Sequence, residues 1–334
     1  MRVLGIETSC DDTAAAVWDE GTVRASVVSS QADLHEEYGG VVPEIASRDH
    51  QRLIVPVVRR ALDDASTDAG ALDAVAVTHG PGLPGSLMVG LSFAKAFARG
   101  LDVPLVGVNH LEGHIYSVDL EPPAPPRPFL CLIVSGGHTE LVRVDDDFRH
   151  DVLGRTRDDA AGEAFDKVAQ LFGLGYPGGP AIDQHAEQGA PDFHDFPRSR
   201  LENFDFSFSG LKTSVLYYLR DRSEAERAEL LDTHLADLCA SVQAAVVDVL
   251  VDAVQRAIDE VGAEHVAVVG GVAANSSLRR RINAVGAAED VGVSVPSLPY
   301  CMDNAAMIAQ AGAQRLAAGT RSPATLGIDA GLQL

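Results

Sequence analysis

The sequence predicts an α/β protein built from two copies of one mixed-sheet unit. Three observations carry that expectation. Leu4 to Val17 reads as apolar strand, small polar turn and apolar strand, and Leu130 to Val144 repeats the pattern around Ser135-Gly136-Gly137-His138-Thr139. Further on, Val75-Ala76-Val77-Thr78-His79-Gly80 is matched by Val266-Ala267-Val268-Val269-Gly270-Gly271, each a strand running into a Gly-containing turn and then a helix. The two matches keep their order while their offsets differ, 126 for the hairpins and 191 for the later strands. The second copy therefore carries extra chain between hairpin and strand, and the stretch 158–218 fits it.

Taken in order, the first copy opens with strands 2–7, 13–18 and 22–29. The amphipathic run Glu44 to Leu62 marks a helix over 44–66. Strand 73–78 enters the loop Gly80-Pro-Gly-Leu-Pro-Gly85, helix 85–100 leaves it, and strand 104–109 meets helix 110–118. Glu121-Pro-Pro-Ala-Pro-Pro-Arg-Pro128 holds too many prolines for a ladder or a helix interior, so it is an extended connector and the domain boundary. The second copy supplies strands 129–135, 139–145 and 149–153. Helices follow at 160–171, 180–188, 209–220 and 224–261, the last broken once. Strand 265–270 ends in a double glycine before helix 275–286. Strand 292–296 and helix 303–318 complete the chain.

This gives a domain over 1–120, the connector 121–128, and a domain over 129–330 with an insertion at about 158–218; helix 303–318 is expected to pack back on the first domain. Paired copies of a hairpin-first, strand-helix unit have the organisation of the actin, sugar-kinase and Hsp70 superfamily. The expected fold is thus the actin-like ATPase fold, duplicated ribonuclease H-like domains with a nucleotide in the interdomain cleft.

Composition narrows the class. The chain has 334 residues, is 46% hydrophobic and carries a formal net charge of -22. That is a globular composition of roughly two-domain length. No apolar run approaches the ~20 residues that span a bilayer, and the N-terminus lacks the features of a signal peptide. Cys10, Cys131, Cys239 and Cys301 form no C-x-x-C pair, which argues against a zinc ribbon and a disulfide scaffold. A cytoplasmic protein with reduced thiols and no membrane contact is expected. Its acidity reads as adaptation to a salty cytoplasm or as codon bias, since Arg outnumbers Lys by 23 to 3. The three retained lysines are Lys95, Lys167 and Lys212, two of them inside motif-like segments, where a need for a compact ammonium is one expectation, since Lys and Arg are not interchangeable at a site.

Several segments carry chemistry. His110-Leu-Glu-Gly-His114 places two imidazoles one helical turn apart, a spacing that suits a shared metal and equally a helix surface. Glu112 stands two residues after the first His rather than one, which disfavours zincin-type peptide hydrolysis. Asp303 is a candidate third ligand, or a helix cap. Two His and a carboxylate with open positions suit iron or zinc.

Val134-Ser135-Gly136-Gly137-His138 is a strand-turn segment whose glycines allow close backbone approach to a phosphate. Asp166 and Lys167, at a helix start, are placed for ribose and phosphate. The Gly- and Pro-rich loop with Gly179 leads to Asp183. Lys212 follows Phe206-Ser-Phe-Ser-Gly-Leu. Gly270, Gly271 and Asn275 form a strand end, turn and helix start, a usual phosphate or ribose geometry. Each is also an ordinary turn or cap. Asp11, in the first hairpin turn, is the catalytic candidate.

Together and in order, Glu7-Thr-Ser-Cys-Asp-Asp-Thr13, Asn109-His-Leu-Glu-Gly-His114, Val134-Ser-Gly-Gly-His138, Ala161-Gly-Glu-Ala-Phe-Asp166, Phe208-Ser-Gly-Leu-Lys212, Gly270-Gly-Val-Ala-Ala-Asn275 and Asp303-Asn-Ala-Ala306 resemble the TsaD family. These are the tRNA N6-adenosine threonylcarbamoyltransferases, once labelled O-sialoglycoprotein endopeptidases, and the likeness is to the bacterial and organellar branch.

The resemblance implies transfer of the threonylcarbamoyl group of threonylcarbamoyl-AMP to the N6 amine of the adenosine beside the anticodon. The tRNAs are those reading ANN codons, and the product is N6-threonylcarbamoyladenosine (t6A). It implies one iron, or zinc, per subunit on His110, His114 and Asp303. The adenylate, or ATP or ADP, would lie on Val134 to His138, Asp166, Gly179, Asp183 and Asn275. Partners would be tRNA, a catalytically inert paralogue and a small ATPase, with a homodimer as the other assembly. The run Glu44 to Leu62 is a candidate partner face, and Arg198 to Arg200 or Arg279-Arg280-Arg281 a candidate tRNA patch. The rival readings are a metal-dependent glycoprotein endopeptidase, a sugar-kinase relative and a non-catalytic scaffold.

Overall fold

The computed structural model describes residues 1–145 and 149–334. The chain forms two compact units, one of Met1–Ala124 with Pro296–Leu334, the other Pro125–Val295. The break at Ala124 falls inside the Pro-rich segment.

The first unit starts with β1 (Arg2–Glu7), β2 (Asp12–Asp19) and β3 (Thr22–Ser30), followed by α1 (Ala32–Glu36) and α2 (Pro43–Asp64). β4 (Ala74–Gly80), α3 (Pro84–Leu101), β5 (Leu105–Asn109) and α4 (His110–Tyr116) complete its first part. Its sheet runs in the order β3-β2-β1-β4-β5, with the hairpin strands antiparallel and β4 and β5 parallel to β1. Burial follows position. β1 is central and buried from its second residue on, whereas β3 lies at the edge and alternates inward and outward residue by residue. One face is covered by α2 and α3, whose Ile54, Val57, Val58, Leu91 and Ala94 join Leu4, Ile6, Val75 and Val77 in one core. Each Leu, Ile or Val side chain among them contributes about 1.5–3 kcal/mol on burial.

The second unit repeats this arrangement with β6 (Phe129–Val134), β7 (Thr139–Val144), β8 (His150–Arg155), β9 (His265–Val269) and β10 (Gly292–Ser294). Its sheet order, β8-β7-β6-β9-β10, is that of the first sheet strand for strand. Between β8 and β9 lie α5 (Ala161–Phe172), α6 (Gly178–Ala186), α7 (Ser209–Arg220), α8 (Glu224–Thr233) and α9 (Leu235–Val261), where the first unit has only α1 and α2. α8 begins with a capping box between Ser223 and Glu226. The break in the long helical run falls at His234. α10 (Ser276–Glu289) follows β9.

The second unit ends at Val295, so the boundary at 330 set out above moves: the last residues belong to the first unit. There α11 (Leu298–Cys301) leads into α12 (Ala305–Ala317), which covers the face of the first sheet opposite α2 and α3. The reason is steric fit. Nine consecutive α12 residues, Ala305–Ala313, are buried, and six of them are Ala or Gly. A Cβ on Gly5 of β1 would collide with the Ala305 carbonyl, and one on Gly312 with Ala76 of β4. Bare backbone on both surfaces lets helix and sheet approach closely. Residues 320–334 then line β5 and the end of β4, through Ser322 N to Leu105 O (2.9 Å) and Asp329 N to His79 O (2.8 Å).

α7 is tethered through one carboxylate. Asp158 accepts hydrogen bonds from the backbone of Phe208 and Ser209 and from both Ser207 and Ser209 hydroxyls. Burial alone would raise its pKa, but these donors outweigh it and hold the carboxyl below its ordinary value. The contribution is therefore present above the unfolded pKa near 3.8 and lost as pH falls through the lower folded value. Asp158→Ala is expected to lower stability at pH 7 by about 1 kcal/mol, a figure reduced because the side chain is exposed. The deficit should shrink in urea melts near pH 3; a deficit unchanged with pH would show that the carboxylate charge contributes nothing.

Candidate functional site

Two groups of predicted residues come together, one in each unit. In the first unit, β5 ends at Asn109, whose side-chain oxygen caps α4 by accepting from Leu111 N at 2.8 Å. That cap fixes the helix start, so His110 and His114 fall one turn apart on the same face. Asp303 stands two residues before α12, whose first turn is capped by Asn304. His114 Nε2 lies 3.1 Å and His110 Nε2 3.5 Å from Asp303 Oδ1. One ligand atom from each of the three residues falls within 4.8 Å of the others. Both histidines are buried, and Asp303 is partly open.

This donor set fits a divalent cation. Two imidazole nitrogens and a carboxylate oxygen converge from a rigid helix and a capped helix start, with a solvent-facing side left open. The surroundings also favour positive charge. Burial lowers the His110 pKa, yet the Asp303 and Glu7 carboxylates more than reverse that and push it up to about 9.

Glu112 points elsewhere. Its carboxylate takes a two-pronged contact from Arg315 of α12, at 2.7 Å to Nε and 2.6 Å to Nη2. It thus ties α4 to α12, and Gln314 Nε2, donating to Asp119 at 2.9 Å, ties α12 to the 3-10 turn Ser117–Leu120 that follows α4. The carboxylate that a zincin mechanism would need is engaged in holding α4 against α12, the helix that follows Asp303.

Asp11 sits half-buried in the turn between β1 and β2. The neighbouring Asp12 carboxyl is the perturbed one, pushed up to about 7 by burial first and by the Asp303 charge second. One of its oxygens is buried without a hydrogen-bond partner among the described residues. Burial also raises the Cys10 thiol far above its usual range, so it is no nucleophile. The Cys10 carbonyl is held by His50 Nε2 at 3.0 Å and by the Ser86 hydroxyl at 3.1 Å, which fixes the turn.

In the second unit the Gly-rich segments interlock. Ser135 N donates to His138 O (2.8 Å) and His138 N to the Ser135 hydroxyl (3.1 Å), closing the Gly136-Gly137 turn. Gly162, at the start of α5, donates to Ser135 O at 3.2 Å. Asp166 Oδ1 accepts from Gly178 N at 2.7 Å, holding the start of α6. Asp183 accepts from the backbone and hydroxyl of Ser276 (3.0 and 2.8 Å) and from Gln243, so it joins α6, α9 and α10. Asn275 caps α10 through Leu278 N at 3.0 Å. Gly270 adopts a positive φ of 91°, with its α-carbon against the Val134 carbonyl. Nothing lies within 4 Å of a Cβ built on Gly136, Gly137 or Gly179. The result is a ring of close-packed turns with open space over Gly136, Gly137 and Gly179 among the described residues, a geometry suited to an anionic nucleotide.

Other predicted residues are placed differently. Lys167 pairs with Asp159 (2.7 Å) and Glu163 (2.8 Å), an engagement within α5 and its approach. Lys212 ends the first turn of α7, half-buried. Lys95 donates to the Leu326 carbonyl and anchors the segment lining β5. The arginine patch is largely paired: Arg198 and Arg281 share Asp248, Arg198 also meets Asp195, and Arg200 approaches Asp252. Sequence reasoning assigned no role to Glu7 or Thr78. Both are buried strand residues, with only their polarity as a signal in the sequence.

No helix among the described residues is long and apolar enough to cross a membrane. The family model described as "TsaD: tRNA N6-adenosine threonylcarbamoyltransferase" matches residues 22–310. A tRNA N6-adenosine threonylcarbamoyltransferase of Salinibacter ruber is 80% identical over 334 residues, covering 100% of both chains. Among solved structures, the T. kodakarensis HypF structure superposes with a TM-score of 0.63 at 15% identity, over 95% of this chain and 48% of that one. The activator of 2-hydroxyisocaproyl-CoA dehydratase from Clostridium difficile gives 0.53 at 13% identity, over 97% and 99%. Both are actin-like ATPase-fold proteins, which establishes the fold class.

Proposed function

The chain belongs to the TsaD family of tRNA N6-adenosine threonylcarbamoyltransferases, and from that premise we propose how its residues divide the work. It is a transferase that forms t6A in tRNA. In our reading the donor is threonylcarbamoyl-AMP, and the acceptor is the N6 amine of the adenosine beside the anticodon in tRNAs reading ANN codons. The observation that carries the reading is the convergence of His110, His114 and Asp303 beside a Glu112 that is turned away and paired with Arg315.

His110, His114 and Asp303 would hold one iron or zinc ion. When bound, such an ion supplies Lewis acidity and a template for the threonyl hydroxyl and carboxylate of the donor. The rest is work for the chain itself. The amides and glycines of 134–138 approach the phosphate, and Asp166, Gly179, Asp183 and Asn275 bound the adenylate site. Backbone donors there stabilise the phosphate as it leaves with the electron pair of the broken anhydride bond. An adenine amine is a weak nucleophile, so holding it against the carbonyl supplies much of the rate. Asp11 orients the amine or takes its proton, from a turn whose backbone His50 and Ser86 immobilise.

A tRNA polyanion meets a chain of net charge -22, so the reading assigns part of the phosphate contact to partners. A catalytically inert paralogue and a small ATPase are the proposed partners, in the cytoplasm. Val55 of α2 and Met88 of α3, both about half exposed, mark the face proposed for the paralogue.

The test is incubation of the protein with threonylcarbamoyl-AMP and unmodified tRNA, with and without the partners, followed by mass analysis of the nucleosides. t6A is expected with metal and partners present. Metal-dependent cleavage of a glycoprotein without t6A would overturn the assignment.

A further inference from the structure

The two histidines are held unequally. His114 Nδ1 is buried and has no hydrogen-bond partner among the described residues. His110 Nδ1 instead faces Glu7 Oε2 at 3.1 Å and the Ser9 hydroxyl at 3.1 Å. Glu7 is the last residue of β1 and is only 1% exposed. Its Oε2 also accepts from the Thr78 hydroxyl of β4 at 2.5 Å, and its Oε1 from Ser9 N at 2.5 Å. One carboxylate thus gathers donors from a turn, a neighbouring strand and the first residue of α4.

Chemistry dictates the direction of the histidine contact. An ionised carboxylate only accepts, so His110 Nδ1 must carry the hydrogen. With Nδ1 donating to Glu7, the proton that a cation displaces is the one on Nε2, whose lone pair then faces the side where His114 and Asp303 lie. The Thr78 and Ser9 bonds keep the carboxylate from rotating, and so keep the imidazole plane fixed.

We infer that Glu7 is a positioning residue that sets the tautomer and ring orientation of His110, making His110 the anchored metal ligand of the pair. The inference rests on the metal reading above and adds to it a residue that is not itself a ligand. Outer partners of this kind typically change metal affinity 10–100-fold.

The experiment measures Zn²⁺ affinity by competition with a chromophoric chelator. Glu7→Gln, nearly isosteric, is expected to bind Zn²⁺ 10–100-fold more weakly while the metal-free variant keeps the wild-type circular dichroism spectrum. Thr78→Val retains the carboxylate and loses one of its donors, so a smaller loss in the same direction is expected. In Zn²⁺-loaded wild-type protein, nitrogen NMR should show His110 with Nδ1 protonated, a readout that stands even where Glu7→Gln fails to fold. Coordination through His110 Nδ1, or wild-type affinity in both variants, overturns the inference. His110→Ala separates the two levels: if it binds Zn²⁺ like wild type, the metal reading itself fails. If only the Glu7 and Thr78 variants do, Glu7 alone loses its role.

Discussion

Asp303→Ala is expected to lose bound metal and t6A formation together, while the protein stays folded. Asp303 is the one partly open member of the trio, and the two histidines present Nε2 toward its Oδ1 at 3.1 and 3.5 Å. Truncation leaves two imidazole donors from a single helix and no anionic ligand, with the Glu7 carboxylate only behind His110. The loss should exceed the roughly 10–100-fold typical of removing an outer partner. Folding should survive, because α12 is held by its small buried residues, by the Asn304 cap and by the Arg315–Glu112 pair, none of which involves Asp303. The carboxylate also presses on the Asp12 and Cys10 pKa values, so its removal should ease the charge-driven part of the rise at Asp12 and leave the larger, burial-driven part. The check is metal content by elemental analysis beside the nucleoside assay. Metal loss with full transfer would separate the cation from the chemistry, and retained metal would show that the trio is not the site.

Why sequence reached this site only in part is a matter of distance along the chain. His110 and His114 are adjacent on a helix, so their shared face follows from helical geometry. Asp303 lies 189 residues from His114, and no local pattern distinguishes it from a helix cap; the family resemblance singled it out. The hairpins and strand-turn-helix units were legible because apolar alternation and double glycines are local. The return of residues 296–334 to the first unit was only partly legible, since it depends on Gly5 and Gly312 giving α12 room on the sheet. Glu7 stayed silent because a polar residue at a strand end has many uses, and its partners Thr78 and His110 come from other strands and helices. The arginine runs were visible, but not the Asp248 and Asp252 carboxylates of α9 that pair with them.

Gly162→Val is expected to damage the other half of the machinery without touching the first. A Cβ at Gly162 would lie 2.6 Å from the Ser135 carbonyl oxygen and 2.8 Å from the Gly136 α-carbon. Those atoms are backbone, so they cannot swing aside as a flexible side chain would; either the α5 start or the 135–138 turn must move. Two branched methyls add to the displacement. Movement of the turn would also weaken the 3.2 Å bond from Gly162 N to Ser135 O and re-aim the amides proposed to face the donor phosphate. A misplacement of about 1 Å in such a positioning element can cost on the order of 10²-fold in rate. The loss should appear as weaker binding of an adenylate analogue in calorimetry and as slower t6A formation. Zn²⁺ affinity should stay at the wild-type value, because His110, His114, Asp303 and Glu7 all belong to the first unit. The contrast with Asp303→Ala is the useful part: one variant keeps nucleotide and loses metal, the other keeps metal and loses nucleotide. Equal loss of both ligands in either variant would mean that the two groups of residues are not separable sites.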